Sequence, residues 1–152
     1  MPIDFHHSKE PPPPLGRKIL EMEIPSQLPD KDVVLDGLLK ELRARAFLRG
    51  DDEEMKLRLV LDEALVNAIK HGNKFSDRKK VRGGLYETDA QWSLKIEDEG
   101  EGFHPTDVPD PDDPESLLLE HGRGIVLMKS MMDDVRYYLG GSCLVLVRKK
   151  GN

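Results

Sequence analysis

Three short groups of residues have the types and spacing that chemistry needs. Glu63, Asn67 and His71 recur every fourth residue, so on a helix they form one polar row. A carboxylate and an amide oxygen along such a row suit proton transfer and the holding of a hard cation. A solvated polar edge accounts for the same row equally well. The second group is Asp98-Glu99-Gly100-Glu101-Gly102, at the end of an alternating apolar stretch. Glycines two apart after a strand-ending Asp let the backbone approach a planar ligand closely, and the carboxylate can accept a hydrogen bond from a ligand amino group. An acidic turn is the plainer alternative. The third is His121-Gly122-Arg123-Gly124, leading into an apolar-periodic segment. Free N–H groups and the positive end of a helix there attract an anion, and Arg123 adds charge. Taken alone, a flexible helix start explains it too. A GxxxxGK[ST] loop, the HRD and DFG signatures of protein kinases and the EF-hand spacing are all absent from the sequence.

The elements that must position these groups can be read from periodicity. Leu20, Met22 and Ile24 alternate with Glu21 and Glu23, which predicts a half-buried strand over 18–24, ended by Pro25. Asp30 to about Arg49 reads as a helix with Val34, Leu35, Leu38, Leu39 and Leu42 on its apolar face, stopped by Gly50. Asp51 with Glu54 resembles a capping box for a second helix reaching His71, whose core stripe is Leu57, Leu61, Ala64 and Ala68. Gly72-Asn73 is expected to close it as a left-handed cap. Strands follow near 79–88 and 91–98, then a Pro- and Asp-rich loop over 104–114. A third helix carries Ile125, Met128 and Met131 or Met132. A hairpin, Val135–Leu139 and Cys143–Lys149, turns at Gly140-Gly141-Ser142. The order β-α-α-β-β-α-β-β predicts an α/β (α+β) two-layer sandwich, with helices on one face of a mixed, mostly antiparallel sheet.

Composition bounds the partners. At 152 residues the chain fits one domain with a sizeable core. The formal charge of −6 argues against nucleic acid as the main partner, since that binding feeds on clustered Lys and Arg. Cys143 is the single cysteine, so no intrachain disulfide forms and a reducing, cytoplasmic setting is expected. The N-terminus lacks the pattern of a signal peptide, and no apolar run is long enough to span a bilayer. Residues 1–16, with the run Pro11–Pro14, are expected to be a disordered tail acting as a spacer before a domain over 17–150. The pair His6-His7 has no companion at metal-ligand spacing and belongs to that tail.

Glu63-Ala-Leu-Val-Asn67-Ala-Ile-Lys-His71-Gly72 resembles the N box of the ATPase superfamily of gyrase, Hsp90, histidine kinases and mismatch-repair proteins. Asp98-Glu-Gly100-Glu-Gly102 is similar to its first glycine box and Gly122-Arg123-Gly124-Ile125 to its second. Three boxes in the right order form a strong joint signal. Within that superfamily the chain most resembles the small anti-sigma-factor serine/threonine kinases over residues 18–149, through "EALVNAIKHGN" and "HGRGIVLMKSMMDDVRY".

The resemblance implies a Bergerat-type ATP-binding fold with ATP and Mg²⁺ as cofactors. By this likeness Asn67 would be the metal ligand and Glu63 the general base for an acceptor Ser or Thr hydroxyl. His71 falls within the nucleotide-binding N box. Asp98 would receive the adenine amino group, with Gly100 and Gly102 allowing close approach. Gly122, Arg123 and Gly124 would surround the phosphates, Ser142 would stand near adenine, and 104–121 would be a short lid. The implied partners are a small anti-anti-sigma protein of the STAS type, as phospho-acceptor, and a sigma factor to be sequestered. A homodimer is compatible with the likeness, whereas direct nucleic-acid or membrane binding is not implied. In sigma-binding relatives the first helix carries a basic residue; around 33–37 this chain has none beyond Lys31, and Arg43 and Arg45 come a little later. The competing class is a non-catalytic module that uses ATP to organise an interaction surface.

Overall fold

The computed structural model describes residues 6–102 and 123–151. Its strands are β1 (His6–His7), β2 (Arg17–Pro25), β3 (Lys80–Glu87), β4 (Gln91–Glu97), β5 (Asp134–Tyr138) and β6 (Cys143–Lys149). Its α-helices are α1 (Lys31–Ala44), α2 (Asp51–Asn67) and α3 (Arg123–Met131). The six strands make one sheet in the order β1-β5-β6-β4-β3-β2, antiparallel throughout except for the parallel β1–β5 pair. The expected two-layer α/β sandwich with a mixed, mostly antiparallel sheet is therefore the observed one.

The core forms where the apolar helix faces meet one face of the sheet. Val34, Leu38, Leu39 and Leu42 of α1 and Leu57, Leu61 and Leu65 of α2 are wholly buried, against Leu85, Leu94 and Leu146 of the central strands. In the register Leu85 faces Leu94 and Leu94 faces Leu146, so one row of leucines crosses three strands. Each such side chain contributes about 1.5–3 kcal/mol on burial. Ion pairs fasten the outer faces of α1 and α2: Arg43 to Glu54 at 2.7 Å and Lys31 to Asp62 at 2.8 Å.

Several boundaries differ from those the sequence suggests, each for a local reason. Helix α1 ends at Ala44, not near Arg49. Ala46 takes a left-handed φ of 58°, and the Ala46 and Phe47 amides donate to the carbonyls of Arg43 and Leu42. That closes the helix with a Schellman-type pair and swings Phe47 onto Trp92, ring on ring at 5.6 Å. Gly50, not Asp51, is the N-cap of α2, and no side chain caps it. Glu53 rather than Glu54 reaches back, accepting the Arg49 N–H at 3.0 Å. The α-helix stops at Asn67 and continues as one π turn, Ala68–Gly72. Asn73 is right-handed, and the left-handed residues are Lys74 and Phe75.

The Pro-rich segment also departs from a spacer. Because β1 lies beside β5 and β2 lies at the opposite edge, residues 8–16 must cross the whole sheet. Five inter-strand gaps at about 4.8 Å make about 24 Å, within the roughly 28 Å that nine residues reach in a polyproline II conformation. The crossing runs over the face away from the helices, where Leu15 packs on Tyr138, Cys143 and Val145. The segment acts as a strap.

Candidate functional site

The sequence-singled residues gather where the C-terminal end of β4, the turn before β6 and the end of α2 meet. Asn67, Asp98 and Ser142 line one pocket, floored by Ala64, Ala68, Ile96, Tyr137 and Leu144. His71 and Gly102 line a second, wider one of about 160 Å³, with Gly72, Lys74, Lys79 and Glu101. The π turn explains the separation. It inserts an extra residue after Asn67, with the Asn73 amide donating to the Ala68 carbonyl at 2.8 Å. The four-residue row therefore holds from Glu63 to Asn67 and is rotated at His71. Glu63 is half-buried one turn before Asn67, and its charge acts on the Tyr137 phenol.

Asp98 is 5% exposed. Its Oδ1 accepts the Gly100 N–H at 2.8 Å, and its own amide donates to the Ser142 carbonyl at 2.8 Å. Burial, with Glu97 and Glu99 nearby, pushes its carboxyl up to about 7, against the pull of the Gly100 hydrogen bond and Lys79. Burial first, and the Glu63 charge second, likewise raise the Tyr137 phenol. As it stands the first pocket has a volume of about 10 Å³, room for roughly one water. A planar base enters only if its walls part.

The glycines act against the protein's own backbone as much as toward any ligand. A Cβ on Gly72 would overlap the Asp98 carboxylate, and one on Gly102 would overlap the Gly140 carbonyl. The end of the first box thus packs directly on the second, and the second on the turn before β6. Ahead of β6, Leu139, Gly140 and Gly141 all have positive φ, at 54°, 71° and 113°. Ser142 follows, its Oγ donating to the Leu139 carbonyl at 3.2 Å. Arg123 and Gly124 open α3. His121, Gly122 and the 104–121 loop lie outside the described residues.

Two contributors escape the motif reading. Asn73, 1% exposed, donates to Ser26 Oγ at 2.8 Å and to the Lys80 carbonyl at 2.9 Å, while its Oδ1 accepts the Glu99 N–H at 2.8 Å. It ties the end of the π turn to the loop carrying Asp98. The signal was an Asn beside the helix-ending Gly72, which suggests a cap before it suggests a tie. The other is the strap. Ser8 donates its N–H to the Tyr137 carbonyl, and the carbonyls of Ser8 and Glu10 accept the N–H groups of Gly140 and Leu139, each at 2.9 Å. His7 lies 6.4 Å from the Tyr137 ring. Nothing in the composition of residues 6–10 signals that role.

A carboxylate aimed into a closed pocket, an amide on the facing helix and a base-capable Glu one turn away make a site suited to a purine nucleotide. Comparison with known proteins agrees. The family model of the histidine kinase-like ATPase domain matches residues 33–148. A serine-protein kinase RsbW of Bacillus licheniformis is 27% identical over 139 residues, covering 86% of this chain and 84% of that protein. Another serine-protein kinase RsbW, of Oceanobacillus iheyensis, is 28% identical over 123 residues, covering 77% of each. The matched span runs from the first turn of α1 to the penultimate residue of β6 and includes all three boxes, and the chain belongs to the histidine kinase-like ATPase domain family.

Proposed function

We propose that the protein is an ATP-dependent serine/threonine kinase. Its acceptor is a small anti-anti-sigma protein of the STAS type, and a sigma factor is a second partner that it sequesters. The observation that carries the reading is the convergence of Asn67, Asp98 and Ser142 on one pocket with Glu63 one turn before Asn67. The relatives' description as serine-protein kinases supports a protein hydroxyl as the acceptor group.

The donor set fits Mg²⁺ held mainly through nucleotide. Among the described residues no group of three His, Cys, Asp or Glu gathers to hold a metal alone. Mg²⁺ commonly takes one or two protein oxygens, several waters and the substrate phosphates, and the Asn67 amide oxygen is a suitable protein ligand. Bound there, the ion would neutralise charge on the phosphates during transfer. Asp98 accepts from the adenine amino group, Ser142 borders the base, and Arg123 with Gly122 and Gly124 hold phosphate at the start of α3. His71 and Lys79 line the adjoining cavity. Glu63 takes the proton from the acceptor hydroxyl as that hydroxyl oxygen attacks the γ-phosphorus, whose bond to the β–γ bridging oxygen breaks to release ADP.

Glu63→Gln separates this mechanism from an ATP-gated binding module. The substitution keeps size and removes basicity. Mg-ATP affinity is expected to stay near the parent value while single-turnover transfer to the acceptor falls by about 10²–10⁴-fold. Transfer at the parent rate would make Glu63 structural and end the kinase mechanism as drawn.

A further inference from the structure

At the end of the sheet opposite the nucleotide pocket, two clefts of about 310 and 360 Å³ adjoin, sharing Arg49, Arg148, Lys149 and Lys150. The strand register fixes the separation. Trp92 pairs with Arg148 at this end, and Glu97 pairs with Cys143 beside Asp98 and Ser142 at the other. The five residue steps from Trp92 to Glu97 put about 17 Å between the two ends.

In a chain of net charge −6, this end gathers Arg45, Arg49, Arg148, Lys149 and Lys150 from two separate parts of the sequence. Among the described residues, several carboxylates offset part of this charge. Glu53 holds Arg148 at 2.6 and 2.9 Å. Glu87 holds Lys150 at 2.8 Å and lies 3.5 Å from Arg45, while Glu41 lies 3.3 Å from Arg45. Arg17 also pairs with Glu87. Asp133 accepts the Lys149 backbone N–H at 2.6 Å, and Lys149 itself is exposed. The floor is the Phe47–Trp92 stack, with Lys150 Nζ 5.5 Å from the Phe47 centroid.

We propose that this double cleft docks an acidic, extended peptide segment of a partner protein. The cations supply charge complementarity to Asp and Glu side chains. The interleaved carboxylates have lone pairs left for the N–H groups of a peptide backbone, which a phosphodiester chain does not offer. A membrane surface fits worse, because the aromatic floor is recessed: Trp92 is 2% exposed. The site is independent of the nucleotide reading, and its ligand would leave the ATP end open.

Trp92 is the only tryptophan, so its fluorescence reports on the cleft in the full-length protein. Titration with a hexaglutamate peptide at low salt is expected to give a saturable change. Lys149→Glu should weaken it at least fivefold, and so should raising salt from about 50 to 300 mM, which shortens the screening length. Arg49→Gln with Lys149→Gln gives a milder variant, expected to weaken it at least twofold, with Mg-ATP affinity as the check that the fold is intact. No saturable change, hexaglutamine binding as tightly, inorganic phosphate displacing the peptide at equal concentration, or an oligonucleotide of equal charge binding as tightly would each overturn the proposal. Failure of ATP binding alone would sink the kinase reading and leave this one standing.

Discussion

Burial holds the Asp98 carboxyl at about 7, where a free one titrates near 3.8, and the consequence divides folding from binding. A carboxyl raised in the folded state contributes stability fully present below its unfolded pKa and lost as pH rises through its folded one. Asp98 therefore costs stability progressively between about pH 4 and 7, on the order of 2–4 kcal/mol in all. Asp98→Asn removes that slope, so the variant should be no less stable than the parent at pH 8 by urea unfolding. Its adenosine affinity should nevertheless fall by roughly 1.5–3 kcal/mol, the worth of a charge-assisted hydrogen bond. The parent's adenosine affinity should itself rise by up to about tenfold from pH 6 to 8 as the carboxylate ionises. Adenosine is the better probe because it brings no phosphate to titrate. A flat profile together with an unchanged variant would remove Asp98 from adenine recognition.

At the scale of elements, the strap and the turn before β6 form one unit. Leu139, Gly140 and Gly141, all at positive φ, offer amides that no strand partner takes, and the carbonyls of Ser8 and Glu10 accept two of them. That turn leads into Ser142, whose carbonyl receives the Asp98 amide. Ser8→Pro tests the coupling, and it also removes the Ser8 Oγ that accepts the Glu10 N–H at 3.0 Å. Proline has no N–H for the Tyr137 carbonyl yet suits the extended backbone around it. The expected loss of these two hydrogen bonds is about 1–3 kcal/mol, and nucleotide affinity should drop roughly two- to fivefold. Calorimetric titration that finds the affinity unchanged while stability falls would make the strap a covering only.

For the molecule as a whole, nucleotide binding should appear as stability. At Mg-ATP 100-fold above its dissociation constant, linkage adds about 2.7 kcal/mol, which raises Tm by roughly 5–10 °C in a domain of this size. Removing Mg²⁺ with a chelator should cut the shift, because Asn67 alone of the described protein groups is proposed to reach the ion. No shift and no heat at millimolar Mg-ATP would end the nucleotide reading. Among the described residues no helix is long and apolar enough to cross a membrane.

The apolar faces of α1 and α2, the alternation of β4 and the three boxes could all be read from the sequence, because each depends on a period or spacing carried by the chain itself. Val34, Leu38 and Leu42, expected on one helical face, are wholly buried, and Trp92, Leu94 and Ile96 point into the core as their alternation implies. What only the tertiary structure decided rests on contacts between distant segments. The π turn is set by Asn73 bonding to Ser26, Lys80 and Glu99, none of which is a helix neighbour. Ser93, polar by its place in the alternation, is wholly buried, because the sheet's second face is covered as well. Leu15 packs on that face and the Pro-rich residues cross it as a strap; proline's stiffness was legible, but the surface it would lie on was not. The basic cleft arises because the α1–α2 connection and the end of β6 meet only after the sheet has formed, a pairing that no local spacing encodes.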